Sequence, residues 1–245
     1  MERIRTIELP AYVGREVLLQ GWLHRLRRLG GISFLALRDG WGIAQAVIDD
    51  AQELGKLAAL ADESVIEVQG AVAAEAQAPG GFELHGARVR VLVPIEEPPP
   101  FELNKRVLKP NLDVFLDHAT VGLRHPHKRA IFRLGAGIMH AFRSHLCSQG
   151  FTEIQTPKLV GSATEGGANV FTVDYLGRNA YLAQSPQLYK QVMVGVFERV
   201  FEVGPVFRAE PHNTARHINE YVSLDVEMGF IRNHRDVMAM LTGVI

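Results

Sequence analysis

Val203-Gly-Pro-Val-Phe-Arg-Ala-Glu-Pro-His-Asn-Thr-Ala-Arg-His-Ile-Asn-Glu-Tyr-Val-Ser-Leu-Asp-Val-Glu-Met228 reads as two strands around a polar loop. Such a segment folds as a hairpin with a long loop. Period-two geometry sets Arg208 and Glu210 on one face of the first strand. On the return strand it gathers Tyr221, Ser223, Asp225 and Glu227, and it turns Val222, Leu224, Val226 and Met228 toward a core. A sheet face bearing an arginine, carboxylates and an aromatic ring needs polar partners, and a ligand is a good candidate. A surface hairpin laced with salt bridges is the alternative. Arginine clamps phosphate or carboxylate bidentately, and a ring can stack on a base, so these residue types suit a nucleotide.

Upstream of the hairpin, residues 127–149 form a long helix with two apolar stripes. Ile131, Leu134, Ile138, Ala141 and His145 make one; Phe132, Ala136, Met139, Phe142 or Arg143, and Leu146 make the other. Apolar residues on two faces fit a central core helix, or one shared with a second subunit. Further upstream the composition shifts once. Pro94, Pro98, Pro99, Pro100 and Pro110 mark a stiff, extended hinge, so residues 1–93 form one domain, 94–125 the hinge and 126–245 a second domain.

The first block reads as short strands. Glu16–His24, Ile32–Leu37 and Ile43–Ile48 come first, with Asp39-Gly40 and Gly42 marking a tight turn. A helix at Ala51–Ala61 follows, then a strand at Val65–Val72 and a hairpin of Phe82–Leu84 with Val89–Val93. Three strands, a helix and two strands is the order of an OB barrel.

Composition bounds the rest. The 245 residues are 47% hydrophobic and 22% charged, ample for real cores and unlike disordered chains. No apolar run is long enough to span a membrane, and the N-terminus lacks a signal-peptide core, so a cytoplasmic protein is expected. The lone Cys147 offers neither a staple nor a metal cluster, and the histidine pairs His125/His127 and His212/His217 lack a zinc framework. The formal net charge of −1 excludes whole-protein adhesion to nucleic acid but leaves room for a local basic patch.

Several multi-residue motifs, in order along nearly the whole chain, carry a family resemblance. Phe207-Arg-Ala-Glu210, Arg216-His-Ile-Asn-Glu-Tyr221 and Leu224-Asp-Val-Glu-Met228 resemble motif 2 of class II aminoacyl-tRNA synthetases, more narrowly the aspartyl branch of archaeal and eukaryotic type. Gly150-Phe-Thr-Glu-Ile-Gln-Thr-Pro157 resembles motif 1, and Tyr181-Leu-Ala-Gln-Ser-Pro-Gln-Leu-Tyr-Lys-Gln191 the aspartate-recognition segment. Gly21-Trp-Leu-His-Arg25, Leu29–Phe34, Leu37-Arg-Asp39 and Gly42-Ile-Ala-Gln45 are similar to the anticodon-binding OB domain. The resemblance implies a β + α/β chain: an N-terminal OB-fold barrel followed by the first part of a class II catalytic domain.

It also implies roles. Arg208 touches the α-phosphate of ATP and the substrate carboxylate; Glu210 reads the adenine amine and Tyr221 stacks on the ring. Arg216, His217 and Ile218 lie where the family holds ATP. Lys190 pairs with the aspartate side chain, Gln187 and Asp225 hold its amino group, and Glu165 belongs to a mobile loop closing over it. Mg²⁺ accompanies ATP with no protein ligand inside this chain, and the helix 127–149 with motif 1 forms a homodimer. The substrate carboxylate itself attacks ATP, so positioning and electrostatics carry the rate.

On the first block the resemblance implies that Phe34 stacks on the central anticodon base and that Gln45 and Arg27 hydrogen-bond it, beside the basic run His24-Arg-Leu-Arg-Arg28. Members restricted to tRNA-Asp tend to carry tryptophan at the position of His24 and lysine at that of Pro79. This chain resembles the relaxed type that charges both tRNA-Asp and tRNA-Asn. Asparaginyl-tRNA synthetase and a non-catalytic tRNA-binding protein are the rival readings. Motif 3 has no match here, and the C-terminal helical pattern from Asp236 reaches Ile245 without a stop signal, so the chain is expected to be incomplete and inactive alone.

Overall fold

The computed structural model describes residues 1–164, 169–212, 214 and 216–245. The chain forms two compact units, Met1–Ala130 and Ile131–Ile245.

The first unit is a closed barrel. Its elements are β1 (Glu16–Leu29), β2 (Ile32–Arg38), β3 (Ile43–Ile48), α1 (Ala51–Ala58), β4 (Val65–Ala74) and β5 (Phe82–Val93). The strands close in the order β1-β2-β3-β5-β4, with β3 and β5 parallel and the other pairs antiparallel, as in an OB fold. Alternation along the strands turns Leu19, Leu35, Ile48, Ile66 and Leu84 inward, where they are buried. At Gly21 an added Cβ would run into the carbonyl oxygen of Arg38, so only glycine lets β1 and β2 approach there.

Three details depart from the sequence reading. β1 continues past His24 to Leu29, because Arg25–Leu29 pairs with Ile32–Ala36 although it lacks apolar alternation. α1 stops at Ala58, three residues early; Asp50 caps its start by accepting from the Gln52 and Glu53 amides. A 3₁₀ segment, Thr6–Tyr12, packs Leu9 into the barrel core. It is tied down by Asp39, whose carboxylate accepts from Thr6 N at 2.8 Å, Thr6 Oγ at 2.7 Å, and the Trp41 and Gly42 amides. Burial alone would raise the Asp39 pKa, but these hydrogen bonds, led by the two from Thr6, hold it below the usual carboxylate value.

The proline-rich segment is no free linker. Residues 94–125 pack within the first unit, adding α2 (Leu112–Asp117) and α3 (Ala119–Gly122). Leu103 and His125 are buried, Ile95 N–H donates to Ser64 Oγ and Asn104 donates to Asp62. Polyproline stiffness governed the sequence reading, but apolar side chains between the prolines gave the segment a face to bury.

α4 (Pro126–Ser148) leads into the second unit, followed by β6 (Thr152–Glu153), β7 (Leu159–Val160), β8 (Thr172–Tyr175), β9 (Arg178–Leu182), α5 (Gln187–Phe197), β10 (Arg199–Phe207), β11 (Glu220–Met228) and α6 (His234–Val244). One sheet runs β11-β10-β6 and another β7-β9-β8. Phe201 and Val203 from β10 pack with Phe142 and Leu146 of α4 and with Phe151; Met139, Val226 and Met228 lean on this core. Thus only the C-terminal part of one α4 stripe, Met139, Phe142 and Leu146, packs inward; Phe132 at its start is exposed, as are Ile131, Leu134 and Ile138 of the other stripe.

Candidate functional sites

The predicted hairpin forms with β10 and β11 in register from Arg199 opposite Met228 to Phe207 opposite Glu220. Directly opposed residues share a face, so Glu202, Gly204 and Val206 lie with Asp225, Ser223 and Tyr221. The other face carries Phe201 and Val203 into the core. Val226 and Met228 join them, but Val222 and Leu224, expected in the core, are exposed near the open end of β11. β10 ends at Phe207, so Arg208 and Glu210 leave the strand instead of alternating along it. The Arg208 N–H still pairs with Asn219 O at 2.9 Å, whereas the Glu210 amide turns back to Arg208 O.

α5 sets Lys190 over the polar face. Its ammonium lies 2.6 Å from Asp225 Oδ1 and 3.2 Å from Glu227 Oε2. Burial works against this charge, but the hydrogen bond and charge of Asp225, and then those of Glu227, hold the Lys190 pKa above the ordinary lysine value. The ion pair brings together two predicted substrate residues separated by 35 positions. Glu227 was legible as a residue of this face but had no role assigned. Gln187 opens the same helix.

Around the hairpin loop, His217 approaches Glu210 at 3.5 Å and bonds Thr214 through Nδ1 at 2.7 Å. Tyr221 and Ile218 are exposed, Arg208 is half-buried, and Arg216 lies exposed on the loop. Glu165, expected in a closing loop, lies outside the described residues.

The barrel presents a second polar face. Arg27 on β1 donates to Gln45 Oε1 on β3 at 2.8 Å, and its guanidinium sits 5.9 Å from the Phe34 ring centre on β2. Gln45 in turn donates to Glu83 on β5 at 2.8 Å, and His85 bonds the other Glu83 oxygen. The three predicted residues therefore meet on one surface. Glu83, which orients the Gln45 amide, was missed; its only sequence signal was a lone acid between Phe82 and Leu84. Pro79 lies exposed on the β4–β5 connection, opening a short 3₁₀ turn.

His24 does not share that surface. A bulge between Leu23 and Arg25 leaves Leu23 and His24 both buried. Arg38 Nη1 lies 3.1 Å from His24 Nδ1, which must accept, so the ring is neutral. Burial first, and then the Arg38 charge, push its pKa down to about 4. The unfolded chain binds this proton at higher pH than the folded one, so stability falls as pH drops from 6.5 toward 4. The expected loss by pH 4 is about 3 kcal/mol. Urea unfolding at pH 7 and pH 4 checks it: His24→Gln should flatten the slope, and an unchanged slope contradicts the assignment.

Residues 111–245 match the model of the tRNA synthetases class II (D, K and N), and residues 17–92 that of the OB-fold nucleic acid binding domain. The chain belongs to the class II tRNA synthetases of the D, K and N group. Among relatives, aspartate–tRNA(Asp/Asn) ligases from Deinococcus radiodurans and Thermus thermophilus are 51% and 49% identical, covering 98% and 97% of this chain. It spans 54% and 55% of their lengths. A crystal structure of asparaginyl-tRNA synthetase from Pyrococcus horikoshii complexed with asparaginyl-adenylate superposes with a TM-score of 0.87 at 32% identity, covering 100% of this chain and 58% of that one. A putative aspartyl-tRNA synthetase from Leishmania major gives 0.83 at 32% identity, over 100% and 53%. Among the described residues no helix is long and apolar enough to cross a membrane.

Proposed function

We propose that this chain carries the anticodon-binding domain and part of the catalytic domain of an aspartate–tRNA ligase, which joins aspartate to the AMP part of ATP with release of pyrophosphate and then passes it to tRNA with release of AMP. The observation that carries the reading is Lys190 held beside Asp225 and Glu227 on the polar sheet face. A half-buried ammonium suits a substrate with an acidic side chain, and an amide would leave it unmatched. Asp225 and Gln187 receive the substrate amino group; that ammonium replaces Lys190 as the partner of Asp225, freeing Lys190 for the side-chain carboxylate. The higher identity to aspartate ligases than to the asparaginyl neighbour supports the same choice.

Arg208 leaves the end of β10 where charge builds as the substrate carboxylate attacks phosphorus, and its guanidinium offsets that charge. Tyr221 offers an exposed ring to adenine, Glu210 its amine acceptor, and Arg216, His217 and Ile218 surround the remaining nucleotide. Glu165 is assigned to the closing loop by resemblance. Mg²⁺ supplies charge neutralisation on the phosphates when ATP binds. Among the described residues no three His, Cys, Asp or Glu gather to hold it. The exposed Ile131, Leu134 and Ile138 stripe, beside motif 1, is the proposed homodimer contact.

Phe34, Arg27 and Gln45 form the proposed anticodon face. Phe34→Ala should weaken binding of a tRNA-Asp anticodon stem-loop by about 1–3 kcal/mol, the cost of one lost base stack. Fluorescence anisotropy with the whole gene product measures this, and an unchanged affinity removes Phe34 from the interface.

Dual charging of tRNA-Asp and tRNA-Asn rests on Pro79, on His24 and on the names of the relatives. His24 is buried against Arg38, so its proposed part in tRNA choice involves no direct contact with tRNA. Incubating the whole gene product with aspartate, ATP and each purified tRNA tests the reading. Aspartate on both supports it; none on tRNA-Asn removes dual charging, and none on either removes the assignment.

A further inference from the structure

The polar sheet face holds a second ion pair that the proposed reaction leaves unused. Glu202 on β10 is 2% exposed, and its carboxylate is fully engaged. It accepts from Thr156 N at 3.1 Å and Thr156 Oγ at 2.8 Å, and lies 2.8 Å from Lys158 Nζ. Lys158 Nζ also donates to Thr156 Oγ at 3.1 Å, which closes the cluster. Space for it exists because the neighbour on the same face is glycine: a Cβ at Gly204 would stand 3.1 Å from Glu202 Oε1 and 3.5 Å from Lys158 Cε.

A burial this complete is not explained by stability alone, since a buried ion pair gains little over an apolar pair of the same size. What the pair does is close a circuit. Glu202 fixes Thr156 and Lys158. The Lys158 carbonyl accepts the Ala183 N–H at 2.9 Å, and the Ala183 carbonyl accepts the Phe207 N–H at 3.0 Å, returning to the strand on which Glu202 sits. Two side chains of the proposed site hang from this ring. Phe207 immediately precedes Arg208. Ala183 leads through Gln184 and Ser185, whose amides donate to Thr164 Oγ, into α5 and so to Lys190.

The geometry points to Glu202 as a positioning residue, which with Lys158 sets the spacing between Lys190 on α5 and Arg208 at the end of β10. It touches no substrate itself. The inference rests on the aspartate-activating reading above. Its most direct consequence falls on the amino-acid side: the chain leading into α5 is tied to β10 through Ala183 and Lys158, whereas on the adenine side Tyr221 lies within the β10–β11 ladder opposite Val206.

The test is aspartate-dependent ATP–pyrophosphate exchange by the whole gene product, comparing wild type with Glu202→Gln, Lys158→Met and Thr156→Val, each with its Tm. Glu202→Gln should raise KM for aspartate about tenfold, a shift worth ~1.4 kcal/mol, with KM for ATP moving less than twofold. Thr156→Val should give a smaller rise of the same kind. Adding Lys158→Met to Glu202→Gln should restore part of the loss by removing the unpaired cation. If Glu202→Gln does not fold, Lys158→Met and Thr156→Val carry the same comparison. An unchanged KM for aspartate in folded variants overturns the inference, as does an equal rise in both KM values tracking a fall in Tm. A silent wild type overturns the aspartate reading itself, and the inference with it.

Discussion

Replacing Lys190 by methionine in the whole gene product is expected to lower kcat/KM for aspartate in pyrophosphate exchange by about 10³-fold, or ~4 kcal/mol of transition-state stabilisation. Lys190 is the cation that Asp225 and Glu227 share, at 2.6 and 3.2 Å. Methionine keeps most of the stem's volume but leaves two carboxylates facing the site with no counter-charge. The bound substrate would then bring its own carboxylate into that field, where like charges in a half-buried place cost several kcal/mol. KM for ATP should change little, since no ATP contact is assigned to Lys190. Asparagine should not become a good substrate, because its ammonium answers Asp225 alone and Glu227 still lacks a cation. A variant within tenfold of wild type for aspartate removes Lys190 from substrate recognition.

The second large effect concerns the barrel. Glu63→Gln should destabilise the first unit by about 3–5 kcal/mol. Glu63 accepts hydrogen bonds from Arg38 Nη1 and Nη2, each at 2.7 Å, and Arg38 is 1% exposed. Arg124 adds a third bond at 3.0 Å, and both arginines sit about 5 Å from the Trp22 ring, at 5.5 and 5.3 Å. Glutamine fills the same space without the charge, so Arg38 keeps its burial and loses its counter-ion. Glu63 also holds a left-handed backbone with φ of 74°, which a substitution cannot relax. Removing both partners should cost far less: Arg38→Met with Glu63→Gln leaves no stranded charge between the pair. Urea unfolding of the 245-residue chain followed by tryptophan fluorescence reads this unit selectively, because Trp22 and Trp41, the two tryptophans, both lie in it. A loss below ~1 kcal/mol, the range of exposed ion pairs, contradicts the account.

The parts of this molecule that were legible in the sequence are those where one rule governs. The barrel's three strands, helix and two strands follow from alternation broken by Asp39-Gly40, Gly42 and Pro79-Gly-Gly81. The β10–β11 hairpin follows in the same way, and so does the shared face of Asp225 and Glu227. Long-range partners were not legible. The Thr6–Asp39 tie, 33 residues apart, and the Glu202–Thr156 tie, 46 apart, join segments whose own patterns carry no sign of the partner. The bulge that buries His24 inverts its expected exposure, because one extra residue in a strand resets every face after it. The prolines of the 94–125 segment governed the sequence reading, which gave no weight to apolar residues such as the buried Leu103. Motif resemblance supplied what pattern could not: Lys190 and Asp225 as members of one candidate site, and the meeting of Arg27, Phe34 and Gln45; the direct Lys190–Asp225 ion pair was not foreseen.

In the proposed reading, the polar face of the β10–β11 sheet selects aspartate. The most direct measurement is ATP–pyrophosphate exchange by the whole gene product with aspartate, asparagine and lysine offered separately. Exchange that depends on aspartate, with asparagine and lysine near background, is the predicted result. Exchange driven by asparagine or by lysine, or by none of the three, contradicts it.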